Sequence, residues 1–133
     1  MLFFDSSAAI ELLRGNTKLD EILDDDQIVL SVLSVYELLW AAERKGDNVN
    51  QKVQRFIESC RIVPVTYEIA RLAALTKIKL MKSGKDKPAI DVLIAAAAED
   101  EGLRFITFDK DFEDIAKSSN LDLLWIKSEN GAK

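Results

Sequence analysis

The sequence contains no histidine and only one cysteine, and each absence closes off chemistry. Without histidine there is no imidazole general base, no serine–histidine triad and no histidine metal ligand. Cys60 alone cannot form an intrachain disulfide, so a reducing compartment, the cytoplasm, is expected. Proline and glycine are scarce, two and five residues in 133, and 48% of the chain is hydrophobic, so disorder is not expected. The start lacks a basic stretch and carries an acid at position 5, which argues against a secretory signal. The longest unbroken apolar run, Val92 to Ala98, falls far short of the ~20 residues that span a bilayer, and no membrane partner is expected. Positive charge is in deficit, 18 Lys and Arg against 23 Asp and Glu. The resulting net charge of −5 argues against a surface that coats nucleic acid, because lysine and arginine drive phosphate binding. Any catalysis here belongs to carboxylates, hydroxyls, lysines or a metal.

What the chain does contain is alternation. "LFF", "QIVLSV", "RIVPV", "RFIT" and "LLWI" are short apolar runs, as expected of strands buried on both faces of a parallel sheet. Helical segments separate them. "SAAIELLRG" reads as a helix with a serine cap and a terminal glycine, and "TKLDEILDD" as a second, short one. In "LSVYELLWAAERKG" Val35, Leu38, Leu39 and Ala42 share one helical face, and in "NVNQKVQRFIES" Val49, Val53, Phe56 and Ile57 do the same. "TYEIARLAALTKIKLMKSG" is a longer capped helix, and "KPAIDVLIAAAAEDEG" starts with Pro88, which suits a first helical turn. The pattern implies one α/β domain over residues 1–133, three layers with a mainly parallel central sheet flanked by helices.

That architecture places the acids. In open α/β sheets, sites gather outside the carboxyl ends of the strands. Asp5 follows "LFF" directly, and "TFDKDF" puts Thr107, Asp109 and Asp111 after "RFI" at the same edge. Asp91 lies in the first turn of its helix, where the helix dipole favours an acid, yet it leads "VLIAAAA", a run apolar enough to be buried. Glu37 is two residues, about 200°, from Val35 on an ideal helix, so it leaves the apolar stripe and is free to face a cleft. Four acids meeting at one edge would repel one another without a cation, and Mg²⁺ or Mn²⁺ suits an all-oxygen shell. Each acid also has a plain reading as a cap or a solvated charge, and 23 acids offer many such selections.

The order "FFDSSAAIELL", "LSVYELLWAAER", "DVLIAAAAEDEGLRFITFDKDF" resembles the PIN domain, and in particular the small VapC-type toxins of toxin–antitoxin pairs, over essentially the whole chain. The resemblance implies a metal-dependent endoribonuclease with Asp5, Glu37, Asp91 and Asp109 as catalytic, metal-holding acids, Asp111 being the competitor for the fourth place. Asp109 is nearer the strand end, whereas Asp111 is placed to cap the helix beginning "FEDIA". Ser6 stands where the family often has threonine, and its hydroxyl, like that of Thr107, would order a carboxylate or a metal-bound water; the plain reading of Ser6 or Ser7 is a helix cap. The resemblance further implies an RNA substrate, a VapB-like antitoxin partner and a homodimer.

For RNA contacts, Lys85 and Lys87 enter the Asp91 helix and Arg14 closes the helix after Asp5, while Lys77 and Lys79 read as a solvated helix face. Tyr36, Trp40 and "NVNQKVQRFI" carry more apolar surface than a thin sheet layer needs. Two rivals stand beside the nuclease: a catalytically silent PIN-like scaffold that binds RNA or protein, and a haloacid-dehalogenase-type phosphohydrolase. The latter wants a second aspartate two residues after the first, and Ser7 occupies that position.

Overall fold

A computed structural model of the chain describes residues 1–128; residues 129–133, the end of the expected 1–133 domain, lie outside the described residues. In chain order the elements are β1 (Leu2–Phe4), α1 (Ser6–Leu13), α2 (Lys18–Leu23), β2 (Ile28–Ser31), α3 (Val32–Glu43), α4 (Asp47–Glu58), β3 (Arg61–Val63), α5 (Tyr67–Lys82), α6 (Ala89–Glu101), β4 (Phe105–Thr107), α7 (Phe112–Lys117) and β5 (Leu123–Trp125). The five strands form one sheet in the order β3-β2-β1-β4-β5, and every pairing is parallel.

Burial on both faces explains the non-alternating strands. Phe3, Val29 and Phe105 enter a core made with α5, α6 and α7, while Phe4, Leu30 and Ile106 enter a second core with α1, α2, α3 and α4. Three layers result, helices over both faces of the sheet. On the first face Phe105 lies 5.9 Å from Phe3 and 4.9 Å from Phe112, ring centre to ring centre. The run Ala95–Ala98 of α6 is buried, its small side chains letting that helix lie close in the layer. Among the described residues no helix is long and apolar enough to cross a membrane.

Several local expectations shift. The cap of α1 is Asp5, not a serine: its carboxylate accepts the Ala8 N–H, and Ser6 and Ser7 lie in the first turn. Pro88 is the residue before α6 rather than within its first turn. Thr66 does cap α5, its hydroxyl accepting the Ile69 N–H at 3.2 Å. The buried stripe of α3 is Ser34, Leu38 and Ala42, one residue round from the expected face, and Leu39 is exposed. Tyr36 and Trp40 are exposed as well, 60% and 55%, so they are surface rather than core.

The topology singles out one place. From β1 the chain builds outward through β2 and β3 on one side, then returns to place β4 and β5 on the other. The crevice at the carboxyl ends of β1 and β4 is therefore the switch point, where adjacent connections leave in opposite directions.

Candidate active site

Asp5, directly after β1, and Thr107, the last residue of β4, touch across that switch point. The Thr107 hydroxyl donates to Asp5 Oδ2 at 2.6 Å, and the Ser7 hydroxyl and Ala8 N–H donate to Oδ1 at 2.7 and 2.9 Å. Each hydroxyl in turn accepts a backbone N–H from the loop after β4: Ser7 Oγ from Phe108 at 3.0 Å, Thr107 Oγ1 from Asp109 at 2.9 Å. With the carboxylate ionised, both hydroxyl protons are committed to Asp5. Burial works against that ionisation. Asp5 is 4% exposed, and desolvation pushes its carboxyl up to about 6, the bonds from Thr107, Ala8 and Ser7 limiting the rise. Asp109 adds a like-charge contribution in the same upward direction.

The other acids come from separate elements. Glu37 projects from α3, half-buried; desolvation raises its carboxyl and the Ser6 hydroxyl opposes this. Asp91, in the first turn of α6 and half-buried, is pushed up to about 6, by desolvation first, then by the charges of Asp109, Glu37 and Asp111, with Lys87 opposing. Asp109 lies in the loop after β4, where its Oδ1 accepts the Asp111 N–H at 2.9 Å. Asp111 occupies the residue before α7 as expected, but its side chain caps nothing. It is exposed and pairs instead with Lys87. The charge of Asp109 is thus felt at both Asp5 and Asp91, and those of Glu37 and Asp111 at Asp91.

The donor chemistry fits a hard divalent cation: oxygen ligands only, like charges that help raise Asp5 and Asp91, and hydroxyls that fix the most buried member. Among the described residues no three acids form a ready-made cage.

The expected RNA contacts divide. Lys87 is committed, 3.0 Å from Asp114 and 3.6 Å from Asp111, and so joins the loop before α6 to α7. Lys85 is exposed, and its charge is felt at Asp114. Lys77 reaches the same loop, pairing with Asp86 and donating to the Lys87 carbonyl at 2.7 Å. Arg14 stands at the far end of α1, about 13.5 Å along the helix from Asp5, bound to Glu11 at 3.1 Å. Ser7 is the residue sequence reasoning underrated. The available signal was its place two residues after the strand-end aspartate, within reach of that carboxylate.

These features define a class: a three-layer α/β domain with an acidic site at the switch point of a parallel sheet. The chain belongs to the PIN domain family, which it matches over residues 2–118. It is similar to VapBC2 from Rickettsia felis, solved bound to a promoter DNA fragment, with TM-score 0.80 and 17% identity over 96% of this chain and 100% of that one. VapBC-5 from Mycobacterium tuberculosis gives TM-score 0.73 and 25% identity over 94% and 98%. VapC20 from the same organism, a toxin that cleaves the sarcin–ricin loop, gives 0.64 and 17% over 85% and 93%. Comparison with curated proteins finds no match.

Proposed function

We propose that this protein is a VapC-type endoribonuclease that hydrolyses RNA phosphodiester bonds and depends on Mg²⁺ or Mn²⁺. The observation that carries the reading is the crowding of acids from separate elements: beyond desolvation, the charges of Asp109 and Glu37 raise Asp91, and that of Asp109 adds to the rise at buried Asp5. A fold does not need four acids from four elements at its switch point, where their repulsion costs stability. Asp5, Glu37, Asp91 and Asp109 would hold the ion. When bound, it supplies Lewis acidity at the phosphate and a water that ionises near neutral pH. The chain's own residues do the positioning. Ser7 and Thr107 lock the Asp5 carboxylate, Ser6 steers Glu37, and the Asp109 backbone is tied to Thr107. The absence of histidine agrees with attack by water rather than by the 2′-hydroxyl, and the expected ends are 5′-phosphate and 3′-hydroxyl.

The solved VapBC complexes support an antitoxin partner. An apolar groove of Ile10, Leu13, Leu38 and Val53 between α1, α3 and α4, edged by Arg14, Lys45 and Lys52, is suited to an acidic amphipathic segment of such a partner. Exposed Tyr36 and Trp40 on α3 and Leu75, Ile78 and Met81 on α5 support a homodimer. With one cysteine and no long apolar helix among the described residues, a cytoplasmic setting fits.

The test is cleavage of a fluorogenic RNA and of bulk cellular RNA with Mg²⁺ or Mn²⁺, with and without chelator, by wild type and Asp5→Asn. Loss of cleavage in both the chelated and the variant samples is expected. Cleavage that survives chelator, or a 2′,3′-cyclic phosphate end, overturns the reading; RNA or protein binding without cleavage would favour a silent scaffold.

A further inference from the structure

An acidic ribonuclease needs some route by which a polyanion reaches its carboxylates, and Lys87 and Lys77, beside them, are already paired with acids. Among the described residues, positive charge without a carboxylate partner lies at Lys110 and Lys127. Lys110, next to Asp109, and Lys127, just past β5, place their amines 5.7 and 5.5 Å from the ring centre of Trp125. Among the described residues neither amine pairs with a carboxylate, although Asp109 and Asp111 flank Lys110 in the chain. Lys18 adds a third amine by donating to the Lys127 carbonyl at 2.9 Å. Trp125 itself is the register partner of Thr107, so it sits one strand spacing, about 4.8 Å, from the residue that holds Asp5. It is partly exposed and anchored in the sheet.

We infer that Trp125, Lys110 and Lys127 form a platform for single-stranded RNA, one unpaired base lying against the indole and the adjacent phosphates taking the two amines. The inference rests on the nuclease reading and names the residues that bring substrate to that site. The cation–π contacts keep both amines at the indole; an incoming base takes the ring face from an amine, which moves to the adjacent phosphate, so a nucleotide offers what this cluster complements, a π face joined to an anion. A duplex would hide the base face, so the site selects unpaired segments.

The experiment uses the full chain in chelator, where no cleavage interferes. Trp40→Phe leaves Trp125 as the sole tryptophan of two, and a short random-sequence RNA and bulk transfer RNA are the titrants. Quenching of Trp125 on binding is expected. Followed by fluorescence anisotropy of end-labelled RNA, Trp125→Ala should weaken binding roughly 5- to 150-fold, the range for loss of one stacked base, and Trp125→Phe should retain most of it. Lys110→Gln with Lys127→Gln, which leaves the core untouched, should weaken binding and flatten the plot of log affinity against log salt by about 0.7 for each phosphate no longer neutralised. With Mg²⁺ or Mn²⁺ added, the same substitutions should raise KM far more than they lower kcat. No quenching, or unchanged affinity and salt slope in the double lysine variant, overturns the inference; so does wild type that binds neither RNA. Failure of the nuclease reading is distinct: wild type then cuts neither RNA while Trp125 still reports binding.

Discussion

Asp5→Asn should make the protein more stable while removing its activity, and the size of the gain follows from the site. At neutral pH the fold holds an ionised carboxylate that burial has pushed from 3.8 to about 6. At about 1.4 kcal/mol per pH unit, that displacement costs the folded state about 3 kcal/mol. Asparagine carries no charge and preserves most of the contacts. Its Oδ1 can accept from Ala8 and Ser7, and its amide can donate to Thr107 Oγ1, whose hydroxyl then turns to Ser7 Oγ, 3.2 Å away. Allowing about 1 kcal/mol for that rearranged bond, the net gain is about 2 kcal/mol. The pH dependence is fixed in sign. A group whose folded pKa is raised contributes stability that is fully present below its unfolded value of 3.8 and is lost as pH rises through about 6. Wild type should therefore draw level with the variant as pH falls. Asp91 also titrates near 6, but it does so in both proteins and largely cancels in the difference. Urea unfolding in chelator, at pH 7.5 and pH 4.5, measures this directly. An Asp5→Asn protein less stable than wild type at pH 7.5, or a difference that does not change with pH, would refute the reasoning.

Other substitutions test the supports separately. Thr107→Val removes the hydroxyl that donates to Asp5 and accepts from Asp109, and should cost about 2–3 kcal/mol in urea unfolding and most of the activity, with Thr107→Ser restoring both. Ser34 Oγ is fully buried and finds no hydrogen-bond partner among the described residues, so Ser34→Ala should be neutral or stabilising by about 1 kcal/mol; a loss beyond 1 kcal/mol in thermal melting would show an unseen role. Lys87→Met breaks pairs with Asp111 and Asp114 and should cost under about 1 kcal/mol, while raising the Asp91 carboxyl further, visible as an upward move of its carboxyl titration by NMR.

Much of the fold was legible because the parallel sheet is buried on both faces. That burial makes β1, β2 and β4 largely apolar, while the edge strand β3 exposes Arg61 and Ile62, and the regular alternation of strands with helices leaves few architectures. The three-layer reading stands, and the sheet is wholly rather than mainly parallel. The finer misreadings have local causes. Position 5 served two roles at once, so assigning the cap to a serine overlooked that Asp5 can accept the Ala8 N–H and still face the site. The α3 stripe was misplaced because Ser34, polar by type, is buried against the core while Leu39 is not, and apolarity alone cannot reveal that exchange. Lys87 drew attention by its nearness to Asp91 in the chain, yet its partners, Asp111 and Asp114, come from the start of α7 and become neighbours only in the folded chain. The Trp125 cluster was invisible for the same reason, since β4–β5 register, not sequence spacing, brings it to Thr107.

The acids also divide the work unequally, and their hydrogen bonds show how. A carboxylate offers about four acceptor sites. Asp5 has three of them filled, two on Oδ1 by Ala8 and Ser7 and one on Oδ2 by Thr107, which leaves a single site on Oδ2 for anything else. Asp91 is the opposite case. Among the described residues no donor is bonded to its carboxylate, which is half-buried and faces Asp109, Glu37 and Asp111 with only Lys87 to offset them. Asp5 is thus a fixed point, aimed by the fold at the cost of its own desolvation, and Asp91 an adaptable one whose contacts are still to be made. Substituting Asp5 must therefore rearrange hydrogen bonds before any ligand is added. Asp91→Asn rearranges none. Relieved of like charge, it should be at least as stable as wild type in urea with chelator, and reveal its defect only when Mn²⁺ is titrated and the wild-type stabilisation fails to appear.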